Sequence, residues 1–168
     1  MPIIRPSKDR EMVRNRGKQF EAIIRKSFEK IKDVSIVRLP DQMGGYLGAK
    51  NICDFIVYKY PHEYYIECKT VKGNRLPYSN ISEAQWQGLL EKSKIKGVYA
   101  GVLCWWIDKD VTMYIPIQEL QINKELGYKS VPWDAQHPNI VELQGKKKRT
   151  YYDYDMKDFF KEVTKYAN

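Results

Sequence analysis

The chain has 168 residues, 43% of them hydrophobic and 30% charged with both signs spread along its length, which suits one domain with a real core and argues against wholesale disorder. Lys and Arg outnumber Asp and Glu by 29 to 21, and the net charge of +8 favours an acidic partner such as nucleic acid or an anionic membrane surface. No apolar run approaches membrane-spanning length, "MPIIRPSKDREM" lacks a signal-peptide core, and Cys53, Cys68 and Cys104 lie in apolar runs without zinc-site spacing, so a cytoplasmic protein with reduced thiols and no membrane segment is expected.

In chain order, residues 11–32 read as an amphipathic helix, with Phe20, Ile23, Ile24, Ser27, Phe28 and Ile31 at helical spacing. "SIVRL" (35–39) reads as a strand and the glycine-rich 40–51 as a loop. Residues 52–60 and 64–71 form two strands joined at "PHE", and 72–80 is a loop. Residues 82–97 form a helix that opens on a Ser-x-x-Gln capping pattern and ends at Gly97. Strand 98–107 pairs with 111–115 across a turn at Asp108–Asp110. A short helix covers 117–127, and 128–150 is irregular and ends in "GKKKR". Tyr151–Tyr154 is an edge strand, and Asp155 caps a last helix. With no repeat or linker, residues 1–168 make a single domain. The order of helix, three strands, helix and strand predicts an α/β fold, a mixed central sheet with helices on its faces.

"YYIECKT", residues 64–70, carries Glu67 and Lys69 inside an otherwise apolar strand, where an unpartnered charge is expensive. Asp54 is embedded in the strand before it. If Pro61 and His62 form a two-residue loop, Tyr60 pairs with Glu63, Ile56 with Glu67 and Asp54 with Lys69. Side chains alternate along a strand, so Asp54, Glu67 and Lys69 then share one face. A one-residue slip would separate Asp54 from the other two.

Two acids and a lysine on one face are what metal-assisted phosphodiester cleavage needs. Carboxylate oxygens suit Mg²⁺, with Mn²⁺ as the alternative ion and the Cys68 carbonyl as a further ligand. The metal acidifies a water and neutralises phosphate charge, and the lysine orients that water or stabilises developing charge. The simpler reading is a cross-strand ion pair of Asp54 with Lys69, although buried pairs are usually neutral or costly for stability. Glu21 sits at the edge of the first helix's apolar stripe, able to reach the sheet face or to pair with Arg25 one turn on. Gln85 has two roles open to it, the capping box with Ser82 and a place near a phosphate.

Asp54, twelve residues, then Glu67-Cys68-Lys69 resembles the PD-(D/E)xK nuclease signature, with Cys53 where the signature has proline. Within that superfamily the chain is similar to Holliday junction resolvases of the RecU and Hjc types. "RNRGKQFE" (14–21), "CDFIVY" with "YYIECKT", and "LPYSNISEAQWQGL" (76–89) carry the likeness, which spans about residues 14–106. It implies a restriction-endonuclease-like αβββαβ core and Mg²⁺-dependent cleavage of four-way DNA junctions in recombination and repair. It also implies a homodimer, Glu21 as a catalytic acid and a site-edge role for Gln85. Residues 40–51 are far shorter than the stalk that RecU-type enzymes insert there.

The basic positions fit DNA. Arg14, Arg16 and Lys18 flank Gly17 at the start of the first helix, and Arg38, Lys50, Lys72 and Arg75 lie at the ends of the acidic strands, placed to contact phosphates. "GKKKR" is a second basic patch or a solvated turn. No helix-turn-helix or zinc-finger pattern is present, so DNA shape is the expected object of recognition. The adjacent Trp105 and Trp106 offer apolar surface for a dimer, or core.

Overall fold

The computed structural model of the protein describes residues 8–40, 51–147 and 152–165. The loop at 41–50 with Lys50, the Lys148–Arg149 end of the "GKKKR" patch and Tyr151 lie outside the described residues, and so does the side chain of Arg14.

Helix α1 covers Lys8–Glu29, and strands β1 (Ser35–Arg38), β2 (Phe55–Lys59) and β3 (His62–Val71) follow. A short strand β4 (Arg75–Pro77) leads to helix α2 (Glu83–Ser93) and strand β5 (Val98–Trp106). Strand β6 (Val111–Pro116), helix α3 (Ile117–Glu125) and strand β7 (Ser130–Pro132) come next. Strands β8 (Val141–Glu142), β9 (Gly145–Lys147) and β10 (Tyr152–Tyr154) and helix α4 (Met156–Thr164) complete the chain. The main sheet runs in the order β1-β2-β3-β5-β6-β8, parallel only between β3 and β5. The expected αβββαβ order is therefore present, as a mixed sheet with α1 and α4 on one face and α2 and α3 on the other.

The two faces have separate cores. Phe20, Ile24 and Phe28 of α1 meet Phe55, Tyr64, Ile66 and Leu103, with Phe159 and Phe160 of α4 closing the layer. Ser27, the polar residue in the stripe of α1, is buried and donates its hydroxyl to the Ile23 carbonyl at 2.8 Å. On the other face, Trp86 and Leu89 of α2 and Ile117 and Leu120 of α3 cover Tyr65, Val102, Cys104 and Ile115. Adjacent strand residues point to opposite faces, so Trp105 enters the first layer and Trp106 the second. Both are buried, so of the two readings open to this pair the structure shows core. All three cysteines are buried and unpaired in disulfides. Among the described residues no helix is long and apolar enough to cross a membrane.

The structure departs from the sequence reading in four places. The β2–β3 turn is Tyr60–Pro61, so Lys59 pairs with His62, Tyr58 with Glu63 and Phe55 with Ile66, two residues out of the expected register. Because the shift is even, every side chain keeps its face. The second helix stops at Ser93, and a turn carries the chain to Gly97, whose φ of +83° suits a residue without Cβ. Residues expected as loop at 72–80 hold β4, which pairs with β7. The stretch expected to be irregular at 128–150 supplies β7, β8 and β9, and β10 pairs with β9 rather than with the main sheet. Asn139 and His137 tie this stretch to α3: Asn139 Nδ2 donates to Glu119 Oε1 at 2.8 Å and His137 Nε2 lies 3.3 Å from Glu119 Oε2. Asp155 does cap α4, accepting from the Lys157 N–H at 3.1 Å.

Candidate active site

Strand β3 outruns its neighbour. Its ladder with β2 ends at Phe55–Ile66, and Asp54 lies one residue beyond that end. The Asp54 backbone is tied on both sides, its N–H to the Ile66 carbonyl at 3.1 Å and its carbonyl to the Leu39 N–H at 2.8 Å. Beyond it the edge of β3 has lost its strand partner, and the Asp54 side chain takes over: Oδ2 accepts from the Cys68 N–H at 2.8 Å. The N–H and C=O of one strand residue project to the same edge, so the Cys68 carbonyl faces the same notch.

Glu67 is 3% exposed, a depth that demands partners for an ionised carboxylate. Its Oε1 accepts from Gln85 Nε2 at 2.7 Å and pairs with Lys69 Nζ at 2.8 Å. Its Oε2 is buried with no hydrogen-bond partner. Lys69 thus pairs along its own strand with Glu67, two residues away on the same face, rather than across to Asp54 as the simpler reading had it. Gln85 takes the capping role and also bonds both charged residues of β3. Its backbone N–H and Ser82 complete the capping box of α2, while its Oε1 accepts from the Ser82 N–H at 3.0 Å and from Lys69 Nζ at 3.4 Å. The residue that starts the helix therefore also fixes the carboxylate and the ammonium of the site.

Glu21 reaches toward the site from α1. Arg38, at the end of β1, donates to Glu21 Oε2 through Nε at 3.1 Å and Nη2 at 2.9 Å. Arg25 pairs instead with Glu29, so the helical alternative for Glu21 does not form. The contact with Arg38 joins residues far apart in sequence and carries no local signal.

Electrostatics mark the notch. Burial first, then the charge of Glu67 and less strongly that of Glu21, push Asp54 from an ordinary 3.8 up to about 7, against the pull of the Cys68 N–H. Burial also raises Glu67, with Lys69 the main opposing influence. Cys53, next to Asp54, is pushed up to about 12 by burial and then by the two acids, and it stays a thiol.

These residues fit a hard divalent cation. The Asp54 and Glu67 carboxyls lie within hydrogen-bonding reach of each other, and a backbone carbonyl faces the same space. Among the described residues no group of three His, Cys, Asp or Glu side chains forms a ready metal cluster, and Glu21 is engaged with Arg38. Mg²⁺ keeps several of its own waters, so two carboxylates can suffice.

The expected DNA contacts spread around the same end of the sheet. Arg16 bonds Gln19 at 3.3 Å and lies 6.0 Å from the ring of Trp105, while Lys18 and Lys72 are exposed. Arg75 is exposed and anchored on Ser130, with Nε to Oγ at 2.6 Å and Nη2 to the carbonyl at 3.3 Å. Arg38 stands apart from this group because its guanidinium lies on Glu21.

No family profile matches the chain, and no curated protein matches it. Among solved structures it is similar to Hjc, a Holliday junction resolvase from the archaeal hyperthermophile Archaeoglobus fulgidus. That likeness has 19% identity and a TM-score of 0.45, and covers 61% of this chain and 74% of that one. A superposition this loose carries no assignment of its own.

Proposed function

We propose that the chain is a Mg²⁺-dependent, structure-selective DNA endonuclease that cuts four-way junctions as a homodimer. The observation that supports it is the notch itself, where the half-buried Asp54 adjoins the buried Glu67 and a lysine and a glutamine are fixed beside them. An ion pair alone explains Glu67 and Lys69, but it leaves Asp54 raised beside them. The sequence resemblance to junction resolvases supplies the choice of junction and the dimer.

Asp54 and Glu67 would hold the ion, with the Cys68 carbonyl beside them. When bound, Mg²⁺ offsets phosphate charge and makes a water easier to deprotonate. Lys69, fixed by Glu67 and Gln85, presents a compact ammonium at the mouth of the notch, where it orients a water or steadies charge on the phosphate. Gln85 holds the Glu67 carboxylate in one rotamer. Arg16, Lys18, Lys72 and Arg75 would bind phosphates on either side without reading bases.

The test is a cleavage assay on a four-way junction, a replication fork and a linear duplex, with Mg²⁺ or EDTA. Junction cutting in Mg²⁺ alone, lost in Asp54→Asn and in Glu67→Gln while junction binding persists, is expected. Cleavage surviving in both variants would remove the site assignment, and preference for duplex would make the chain a different kind of nuclease.

A further inference from the structure

The end of α3 holds apolar side chains where a soluble surface would usually hide them. Ile122 is 50% exposed, Leu126 70% and Tyr128 58%. Scattered exposed hydrophobics need no explanation, but these three fall within one helix end and its cap. The cap is hydrogen-bonded: the Tyr128 N–H donates to the Asn123 carbonyl and the Gly127 N–H to the Lys124 carbonyl, both at 3.0 Å, with Gly127 at a φ of +93°. This Schellman closure presents Leu126 and Tyr128 outward in a fixed frame.

Basic residues neighbour the group along the chain and on the adjoining ribbon. Lys124 and Lys129 pair with no carboxylate among the described residues, and Arg75 stands on the adjoining ribbon. Glu125, the acid within the corner, accepts a hydrogen bond from Gln121 at 2.8 Å. The corner is also joined to the candidate site. The Lys129 carbonyl accepts from the Tyr78 N–H at 2.9 Å, at the head of the segment that runs into Ser82 and α2. Trp86, the residue after Gln85, donates its indole N–H to Gln121 at 2.7 Å and takes Lys124 Nζ over its ring at 4.4 Å.

Size decides what such a corner can hold. A specific protein interface needs on the order of 800 Å² from each partner, much more than a few side chains provide. A single nucleobase needs one aromatic face, an apolar neighbour and cations for the flanking phosphates, the pattern of sequence-tolerant single-strand contacts. We infer that the corner of α3 and β7 is a second DNA contact, in which Tyr128 and Leu126 receive an unpaired base and Lys124 and Lys129 hold its phosphates. It rests on the nuclease reading and extends it: the enzyme would engage unpaired nucleotides beside a branch as well as the duplex arms.

Fluorescence anisotropy of the full chain in EDTA tests this, using a fork with a single-stranded arm and a blunt duplex of the same length. Tyr128→Ala should weaken fork binding roughly tenfold, the scale of one lost base stack, and leave duplex binding unchanged. Tyr128→Phe keeps the ring and should bind as the parent does. Lys124→Gln with Lys129→Gln should reduce the salt dependence of fork binding. Equal binding of fork by Tyr128→Ala and the parent would overturn the inference. So would a change in the sedimenting mass of the protein on Tyr128→Ala, which would make the corner a contact between copies. If the parent binds both DNAs but cuts neither, the nuclease reading falls and the fork-specific loss still supports the contact; if it binds no DNA, both fall.

Discussion

Asp54 carries two duties that pull in opposite directions. Its carboxylate caps the unpaired edge of β3 at Cys68, and it sits against the buried acid Glu67. In the folded protein its pKa rises from 3.8 to about 7, so the folded state holds a proton that the unfolded chain releases. The stability tied to that proton is fully present below about pH 4 and is lost as pH rises through about 7. Asp54→Asn keeps an oxygen for the Cys68 N–H and removes the charge. In EDTA at about pH 8 it should melt above the parent, and the gap should close as pH falls toward 4. Mg²⁺ should raise the melting temperature of the parent and leave Asp54→Asn unmoved, because only a folded site that binds the ion is stabilised by it. Parent and variant melting together at high pH would mean that the two carboxylates do not strain the fold. The shared face of Asp54, Glu67 and Lys69 was legible in the sequence because alternation survives any even shift of register. The partner of each was not: Lys69 turned to Glu67, and Arg38 to Glu21, by rotamer choices that strand periodicity does not encode.

At the scale of elements, the long amphipathic α1 and the apolar strands β3, β5 and β6 were readable because each carries its own periodicity. The small strands were not. β4 and β7 are three residues each and exist only because they meet across more than fifty positions of chain, and the segment around His137 is ordered by Glu119 on α3. Helix α2 also depends on a close approach that the sequence hides. A Cβ added at Gly88 would lie 2.6 Å from Ile52 Cβ and closer still to its Cγ2, just before Asp54. Alanine gains about 1 kcal/mol of helix propensity there. The clash meets a branch point two residues from the anchored backbone of Asp54 and costs about 1–3 kcal/mol, so the net should be a loss. Gly88→Ala is therefore expected to lower the melting temperature and, by displacing the Ile52–Asp54 segment, to slow cleavage as well. A thermal melt and a single-turnover assay read the two effects, and a variant more stable than the parent would show that Ile52 yields freely.

For the molecule as a whole, the charge excess matters through where it lies. Cys68 and Lys69 are at the same end of β3 as Thr70, which pairs with Trp105 beside Arg16. Lys72 and Arg75 continue from that end, so one end of the sheet carries both the acidic notch and a rim of cations. The opposite end is basic too: Lys94 and Lys96 lie in the turn that docks at Glu63, several residues up β3 from the notch. If DNA lies across the notch, the first set of cations displaces counterions from its phosphates and the second set does not. Log affinity should then fall with log salt concentration at a slope of about −0.9 for each phosphate neutralised. Removing Arg16 and Lys18 together by alanine should flatten that slope by about 2, since each contact contributes about one unit. Removing Lys94 and Lys96 takes away the same two charges and should leave the slope near the parent value, because a general field is screened over about 10 Å at 0.1 M salt. Junction binding titrated at several salt concentrations separates the cases. Equal flattening by both pairs would reduce the basic character of the chain to a diffuse attraction. Flattening by the Lys94–Lys96 pair alone would place the DNA at the other end of the sheet, away from Asp54 and Glu67.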